Sequence, residues 1–231
     1  MKSLDHREIE IKLRVADVPG LRRRLVRLGL RPAQTGRVFE RNTLFDTPQG
    51  GLAKHGQLLR LRRIELPHRQ RGASKAAPDA ALLTYKGPTE RVAPPEVAPG
   101  RHYKIRQEFE TGVSDPDRLQ LIFEALGLRG WFRYEKYRTS FELPKSLGWA
   151  EGLKVELDET PLGNFLELEG PPAAIDRLAG LLGYRPADYL TRSYLALYLD
   201  QCRKQGVPAG DMVFSVRKKA QKKSGPTPVF P

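Results

Sequence analysis

Segments in which charged and apolar residues alternate recur along the chain. Residues 8–13 alternate strictly, which is the period-two pattern of a strand with one apolar face. Similar segments follow, separated by turn or loop compositions. Together they predict strands at residues 8–13, 37–46, 57–64, 81–86, 104–110, 132–143, 153–157 and 165–169. The chain is therefore predicted to be dominated by strands.

Four other stretches carry apolar residues at helical spacing. Asp17 is a candidate N-cap for the first helix, and Gly29 is a candidate end. Ser114 with Asp117 resembles a capping box at the start of the second helix. The third and fourth helices are predicted around residues 175–182 and 190–206. Together with the strands, these helices predict a β-dominated α+β fold.

Two polar stretches and the C-terminal region lack such patterns. Residues 67–80 and 87–103 are predicted to be loops because of their polar, Gly and Pro content. Residues 203–231 hold seven basic residues and one acidic residue. We predict one folded domain over residues 1–206 and a flexible, basic, proline-containing tail over residues 207–231. Such a tail is either a solvated charge run or a weak, non-specific contact for polyanions.

Composition narrows the class of protein further. The chain has 231 residues, a formal net charge of +13 and 39% hydrophobic residues, which predicts a folded body with polar loops. Cys202 is the single cysteine, so an intrachain disulfide and a cysteine-based zinc site are excluded. Neither a signal-peptide pattern nor a membrane-spanning run is present, and we expect a cytoplasmic protein that does not bind membranes.

The predicted strands carry charged residues on neighbouring positions of the same face, and many of these form pairs of one sign. Residues i, i+2 and i+4 of a strand share a face. The sets formed in this way are Glu8/Glu10/Lys12, Arg60/Arg62, Arg106/Glu108/Glu110, Lys136/Arg138, Lys154/Glu156/Asp158 and Glu167/Glu169. Half-exposed sheets with polar faces in water are one interpretation. The other is a sheet closed into a barrel whose inner face binds a metal through carboxylates and phosphate through basic groups.

A series of segments, in order along the chain, resembles the motifs of the CYTH superfamily, the triphosphate tunnel metalloenzymes. The resemblance covers about residues 5–200. The matching segments are residues 8–12 (Glu-x-Glu-x-Lys), 42–47 (Tyr-Phe-Asp-Thr), 59–62 (paired arginines), 83–88 (the lysine strand), 106–110 (Arg-x-Glu-x-Glu), 135–138 (Lys-x-Arg), 158–169 (Leu-Gly-x-Phe-x-Glu-x-Glu) and 192–194 (Ser-Tyr).

The resemblance implies a closed eight-stranded antiparallel β-barrel, a triphosphate tunnel, with helices packed outside. It implies Mg²⁺ or Mn²⁺ as cofactor and a small molecule containing a triphosphate as substrate. Family members hydrolyse inorganic, thiamine or other organic triphosphates, and one branch cyclises ATP to cyclic AMP. The predicted loops at 67–80 and 87–103 either shape the tunnel mouth or are plain loop variation.

The same resemblance implies roles for particular residues. Phosphate oxygens would be held by Lys12, Arg60, Arg62, Lys86, Arg106, Lys136 and Arg138. The first metal would be held by Glu8, Glu10, Glu167 and Glu169, and Glu108, Glu110 and Asp158 would bind a second metal or orient water. Glu8, Glu10 and Lys12 are the catalytic candidates; Lys12 and a metal-bound hydroxide remain alternatives for the general base.

Other functions remain as alternatives to a metal-dependent triphosphatase. The first is an adenylate cyclase, although His6-Arg7 stands where that branch usually has His-Phe. The second is a non-catalytic polyphosphate-binding module, against which the paired carboxylates argue. The net charge suits nucleic acid, but the basic strands lack interleaved stacking aromatics, so we do not expect specific nucleic-acid binding. Both a monomer and a homodimer remain open.

Overall fold

The computed structural model describes residues 6–66, 80–90 and 103–215. Within these ranges the chain forms eight strands, as predicted. They are β1 (Arg7–Val15), β2 (Arg31–Asp46), β3 (Leu58–Glu65), β4 (Ala80–Thr89), β5 (Lys104–Val113), β6 (Arg129–Glu142), β7 (Lys154–Thr160) and β8 (Gly163–Glu169). The helices are α1 (Val18–Arg27), α2 (Gly51–Lys54), α3 (Pro116–Ala125), α4 (Pro172–Leu181) and α5 (Tyr194–Gln205), with short 3₁₀ turns at Gly148–Ala150 and Pro186–Asp188.

The strands close into a barrel in the order β1-β5-β4-β3-β2-β6-β7-β8. Every pair of neighbours is antiparallel, which confirms the predicted closed antiparallel barrel. The first strand closes the barrel, since β1 pairs with β5 on one side and β8 on the other. As a result, Lys12 lies opposite Glu167, and Glu10 lies opposite both Glu169 and Lys104.

The alternation in β1 divides its residues between two environments. Ile11 and Leu13 face outward and are fully buried in a large apolar cluster with side chains of α1 and α4. Glu8, Glu10 and Lys12 face the inside of the barrel. Burial of the apolar face against helices stabilises the barrel, and it also fixes which side chains point inward, because a one-residue slip would exchange the two faces.

One predicted helix start is confirmed, and two others require correction. Asp17 caps α1 as predicted, its carboxylate accepting from the Gly20 amide at 2.9 Å. The N-cap of α3, however, is Asp115 and not Ser114, because the Asp115 carboxylate accepts from the Arg118 amide at 2.9 Å. The last helix begins at Tyr194, capped by Ser193, and not at residue 190.

Some strands extend beyond their predicted bounds. β2 begins at Arg31, and β4 continues through Gly87 and Pro88 to Thr89. A register shift between Lys86 and Thr89 accommodates the proline there, since proline cannot donate to a regular ladder. The start of the predicted loop 87–103 therefore belongs to a strand; residues 91–102 and 67–79 lie outside the described residues.

The short helix α2 follows the predicted turn at the end of β2. The Asp46 carboxylate accepts from the backbone amides of Thr47, Leu52 and Ala53 at 2.7 to 2.9 Å. These bonds lower the pKa of Asp46 despite the opposing effect of burial. Within the described residues, none of the helices is long and apolar enough to cross a membrane.

The chain after α5 returns to β6 and hydrogen-bonds with its backbone, in what we call the C-terminal strap, residues 207–215. Met212 is buried and forms a backbone bridge with Tyr134. Asp211 accepts from the amide and guanidinium of Arg133, at 2.8 and 2.7 Å. The predicted domain boundary at 206 thus lies before the last residues that pack on the barrel. Residues 216–231 of the predicted tail lie outside the described residues.

Candidate active site

A cavity of about 410 Å³ lies inside the barrel, lined mostly by charged side chains. All seven predicted phosphate-binding residues line it: Lys12, Arg60, Arg62, Lys86, Arg106, Lys136 and Arg138. Each of them is at most 8% exposed. Charges that are this far removed from bulk water interact strongly with one another and with any ion that enters.

Six of the seven predicted metal ligands also line the cavity: Glu8, Glu10, Glu108, Glu110, Glu167 and Glu169. The exception is Asp158, which is fully buried and does not reach the cavity surface. Its oxygens accept from Lys136, Arg138 and the Tyr194 hydroxyl at 2.7 to 2.9 Å. Asp158 therefore lies beneath the cavity wall as a counter-ion of Lys136 and Arg138, and not among the cavity-lining carboxylates with which it was expected to bind a second metal or orient water.

The remaining carboxylates are paired with the cations of the cavity. Lys86 donates to both oxygens of Glu8 at 2.6 Å. Lys12 lies between two carboxylates, 3.0 Å from Glu10 and 3.1 Å from Glu167. Arg138 contacts Glu167 as well as Asp158. The charged side chains thus form an ionic network of separate clusters, one around Lys86 and another around Lys12, Lys136 and Arg138, in which carboxylates and basic groups neutralise each other.

The donor set fits a hard divalent cation in its chemistry, since Mg²⁺ and Mn²⁺ prefer carboxylate oxygens. Glu8 and Glu108 both contact Lys86, at 2.6 and 3.2 Å, so two carboxylates share one cation. No group of three acidic, His or Cys side chains is already gathered as a metal site in the described part of the chain. The carboxylates must therefore rearrange locally to bind a metal together.

The pKa values follow from this pairing. Burial opposes the charged form of Lys12, but Glu10 and Glu167 outweigh it and raise the pKa above its usual range. Burial likewise opposes ionisation of Glu10, yet Lys12 and Lys104 hold its pKa well below the usual value. Burial, together with the neighbouring Glu8, raises the pKa of Glu108 to about 7 against the opposing effect of Lys86. Lys12 is thus protonated at neutral pH in the free protein.

Tyr194 at the start of α5 inserts into the barrel beside the ionic network. Its ring centroid lies 5.3 Å from Lys12 Nζ and 5.5 Å from Lys136 Nζ, and its ring packs edge-on against Phe165. Burial and the nearby Asp158 raise the pKa of Tyr194 well above its usual range, so its hydroxyl acts as a donor. Leu190, predicted to be helical, instead pairs with the Lys12 backbone and leads the chain into this position.

Several residues of the site escaped the sequence motifs. Lys104 lines the cavity two residues before the matched Arg-x-Glu-x-Glu segment, and period two alone would have placed it on the same face as Arg106. Glu40 is 2% exposed and lies beneath the cavity, where it contacts Arg62, Lys136 and Arg138. The sequence of β2 does not alternate clearly between charged and apolar residues, because the apolar Val38 and Leu44 share the inner face with Glu40.

The CYTH domain model matches residues 6–194. The chain belongs to the CYTH family. Members of this family are typically enzymes that act on triphosphates and generally depend on a divalent metal. No curated protein sequence matches the chain.

Solved structures share the fold at low sequence identity. An adenylate cyclase candidate from Vibrio parahaemolyticus is 21% identical, with a TM-score of 0.64, covering 82% of this chain and 96% of that one. A protein of Pyrococcus horikoshii is 22% identical, with a TM-score of 0.61, covering 84% of this chain and 99% of that one. These similarities show the fold of the CYTH proteins.

Proposed function

We propose that the protein is a divalent-metal-dependent triphosphatase that hydrolyses a small molecule containing a triphosphate inside the barrel. One observation supports this most directly. The cavity brings ten lysine and arginine side chains and seven glutamates into a single space inside the barrel. An anion-binding module has no need for the carboxylates, whereas a metal–triphosphate complex requires both kinds of group.

The basic groups bind and orient the phosphate chain. The Nε atoms of Arg60 and Arg106 are buried and have no hydrogen-bond partner among the described residues. Unmade hydrogen bonds of buried donors cost free energy, so these guanidiniums are poised to bind phosphate oxygens. Arg62, Lys86, Lys136 and Arg138 also belong to the set, and each is held in the free protein by a carboxylate partner.

Glu8, Glu10, Glu167 and Glu169 would hold the metal, with Glu108 and Glu110 beside them. Mg²⁺ or Mn²⁺ bound there would supply neutralisation of phosphate charge and a more acidic water. Lys12 serves as a cation rather than a general base, because two carboxylates keep it protonated. Preorganised charges around the phosphates stabilise the charge that shifts during phosphoryl transfer, without a covalent nucleophile.

A product assay tests the proposal. The purified protein is offered inorganic triphosphate, thiamine triphosphate and ATP separately, with Mg²⁺ or Mn²⁺. We expect orthophosphate release that disappears with EDTA and falls at least 100-fold, on the order of one lost transition-state contact, in Glu8→Gln and Glu10→Gln. Glu151→Gln, at an exposed turn, is the matched control and keeps full activity. Absence of turnover with all three compounds contradicts the proposal.

A second candidate is the cyclisation of ATP to cyclic AMP and pyrophosphate. Leu44, Leu58 and Leu195 line one part of the cavity together with Tyr134, and this apolar wall suits an organic group beyond the phosphates. The same assay separates the two reactions, because cyclisation yields pyrophosphate and cyclic AMP and no orthophosphate. Retention of triphosphate binding without either reaction would leave a polyphosphate-binding module.

A further inference from the structure

Lys104 is a cavity cation that none of the matched motifs includes. It begins β5 and lies opposite Glu10 of β1. It is 6% exposed, and its side chain lines the cavity among Lys12, Lys86 and Arg106. Its ammonium group contacts one oxygen of Glu10, while the other oxygen of Glu10 is 3.0 Å from Lys12.

The two lysines differ in what else holds them. Lys12 also contacts Glu167, so in the metal-free protein it keeps a carboxylate partner when the charge of Glu10 is removed. Within the described residues, Glu10 is the one carboxylate that forms an ion pair with Lys104. Withdrawal of Glu10 therefore leaves Lys104 as an uncompensated buried cation directed at the cavity. Such a charge is costly unless another anion replaces the lost partner.

We propose that Lys104 is a further phosphate-binding residue, masked by Glu10 in the free protein and released when Glu10 turns to the divalent cation. The inference rests on the proposed function, because it assumes a metal–triphosphate ligand. The exchange breaks the contacts of Glu10 with Lys104 and Lys12 and forms two others: the carboxylate takes the metal, and the Lys104 ammonium takes a phosphate oxygen. Metal and triphosphate therefore bind cooperatively, each increasing the affinity for the other by the same factor.

A double-mutant cycle without any metal tests the masking directly. Binding of inorganic triphosphate in EDTA is measured by calorimetry for the wild type, Glu10→Gln, Lys104→Gln and the double variant. Removing the Glu10 charge unmasks Lys104, so we expect Glu10→Gln to bind roughly tenfold more tightly, the size of one charged hydrogen bond. Lys104→Gln alone changes metal-free affinity less than threefold, and the double variant returns to within threefold of the wild type.

Lys54→Gln on α2 is the charge-matched control, since Lys54 is exposed and lies outside the cavity. When Lys54→Gln is combined with Glu10→Gln, we expect the tenfold gain in triphosphate affinity to remain. Lys104→Arg keeps the positive charge, and combined with Glu10→Gln it is expected to retain the gain as well. A double variant Glu10→Gln, Lys104→Gln that binds as tightly as Glu10→Gln overturns the proposal, as does a Glu10→Gln variant with no gain. Thermal melting of each variant confirms that it is folded.

The cycle is independent of turnover. If the protein hydrolyses none of the offered triphosphates, the proposed function fails while the metal-free cycle is still measured. If hydrolysis is found but the cycle shows no coupling between residues 10 and 104, the triphosphatase stands and the role of Lys104 falls. With Mn²⁺ present, we expect Lys104→Gln to weaken triphosphate binding about tenfold, compared with less than threefold without metal.

Discussion

Glu40 of β2 lies directly opposite Lys136 of β6, and its carboxylate comes within 3.5 Å of the Lys136 ammonium beneath the floor of the cavity. The same carboxylate is 3.4 Å from Arg62 and 3.8 Å from Arg138. A single buried anion thus serves three cations that point toward the proposed phosphate site. With Asp158, it offsets the mutual repulsion of Lys136 and Arg138 in the free protein.

This arrangement predicts an acid sensitivity that depends on Glu40. Burial opposes ionisation of Glu40, but Lys136, Arg62 and Arg138 lower its pKa from 4.5 to about 2. A lowered pKa in the folded state contributes stability that is present above about pH 4.5 and lost as the pH falls toward 2. The shift corresponds to about 3 kcal/mol at neutral pH.

The measurement is the free energy of unfolding in urea at pH 6, 5, 4 and 3. We expect Glu40→Gln to be less stable than the wild type at pH 6, and the difference to shrink as the pH falls. Glu124→Gln, exposed on α3, is the control and follows the wild-type profile. Parallel profiles for Glu40→Gln and the wild type across this range contradict the prediction.

The C-terminal strap is predicted to stabilise the barrel. Met212 is 1% exposed and packs in an apolar cluster with Leu44, Phe132 and Tyr134. Truncation of a buried methionine to alanine typically costs about 2–5 kcal/mol, so we expect Met212→Ala to lower the unfolding free energy by that amount. The neighbouring Val213, 42% exposed, is the control, and Val213→Ala changes it by less than about 0.5 kcal/mol. Equal effects of the two substitutions would show that the strap does not contribute to the folded core.

Gly170, directly after the cavity residue Glu169, occupies a conformation that requires glycine. Its φ is +144°, and a Cβ there would lie 2.6 Å from the Gly152 carbonyl oxygen. We expect Gly170→Ala to destabilise the protein by about 2 kcal/mol or more. Gly180, in α4, has open space around its Cβ position, and Gly180→Ala is expected to stabilise by up to about 1 kcal/mol. Thermal melting checks the prediction, because the melting temperature should fall for Gly170→Ala and rise for Gly180→Ala. Equal losses of stability in the two variants would refute it.

The sequence could predict most of the barrel because strand alternation is a local signal. Each inward charge of β1 is two residues from the next, and the intervening isoleucines need a core. Helical spacing was a weaker guide where tertiary contacts decided the outcome: Leu190 matches the stripe of α5, but it pairs with Lys12 of β1. Local spacing carries no information about such a distant partner.

The sequence predicts most residues of the candidate site, but it does not predict which of them line the cavity and which lie beneath its wall. Period two places Asp158 on the same face as Glu156, and yet Glu156 lines the cavity while Asp158 lies beneath it. The difference arises because Tyr194, from a distant part of the chain, covers Asp158 and donates to it at 2.9 Å. Lys104 and Glu40 belong to the site although no motif includes them. Their roles depend on cross-strand partners that the sequence does not specify.

Arg60 provides a test of how the cavity recognises phosphate. Its guanidinium donates to Thr84 at 3.0 Å and to Tyr134 at 3.3 Å, which leaves Nε directed at no protein acceptor among the described residues. Lysine keeps the charge but loses the fixed fork that holds two phosphate oxygens. We expect Arg60→Lys to lower kcat/KM for the best triphosphate about 10- to 100-fold, the range for one or two charged hydrogen bonds.

An arginine-to-lysine substitution on the outer face of β3, the strand that carries Arg60, is the matched control. Arg63 of β3 is partly exposed and pairs with Asp117 of α3 at 2.7 Å, outside the cavity. Arg63→Lys is therefore expected to keep kcat/KM within about twofold, because exposed ion pairs contribute little. If Arg60→Lys retains wild-type kcat/KM, Arg60 acts only through its charge and the bidentate contact is refuted. If both variants lose activity equally, the loss comes from the strand's stability and not from phosphate recognition.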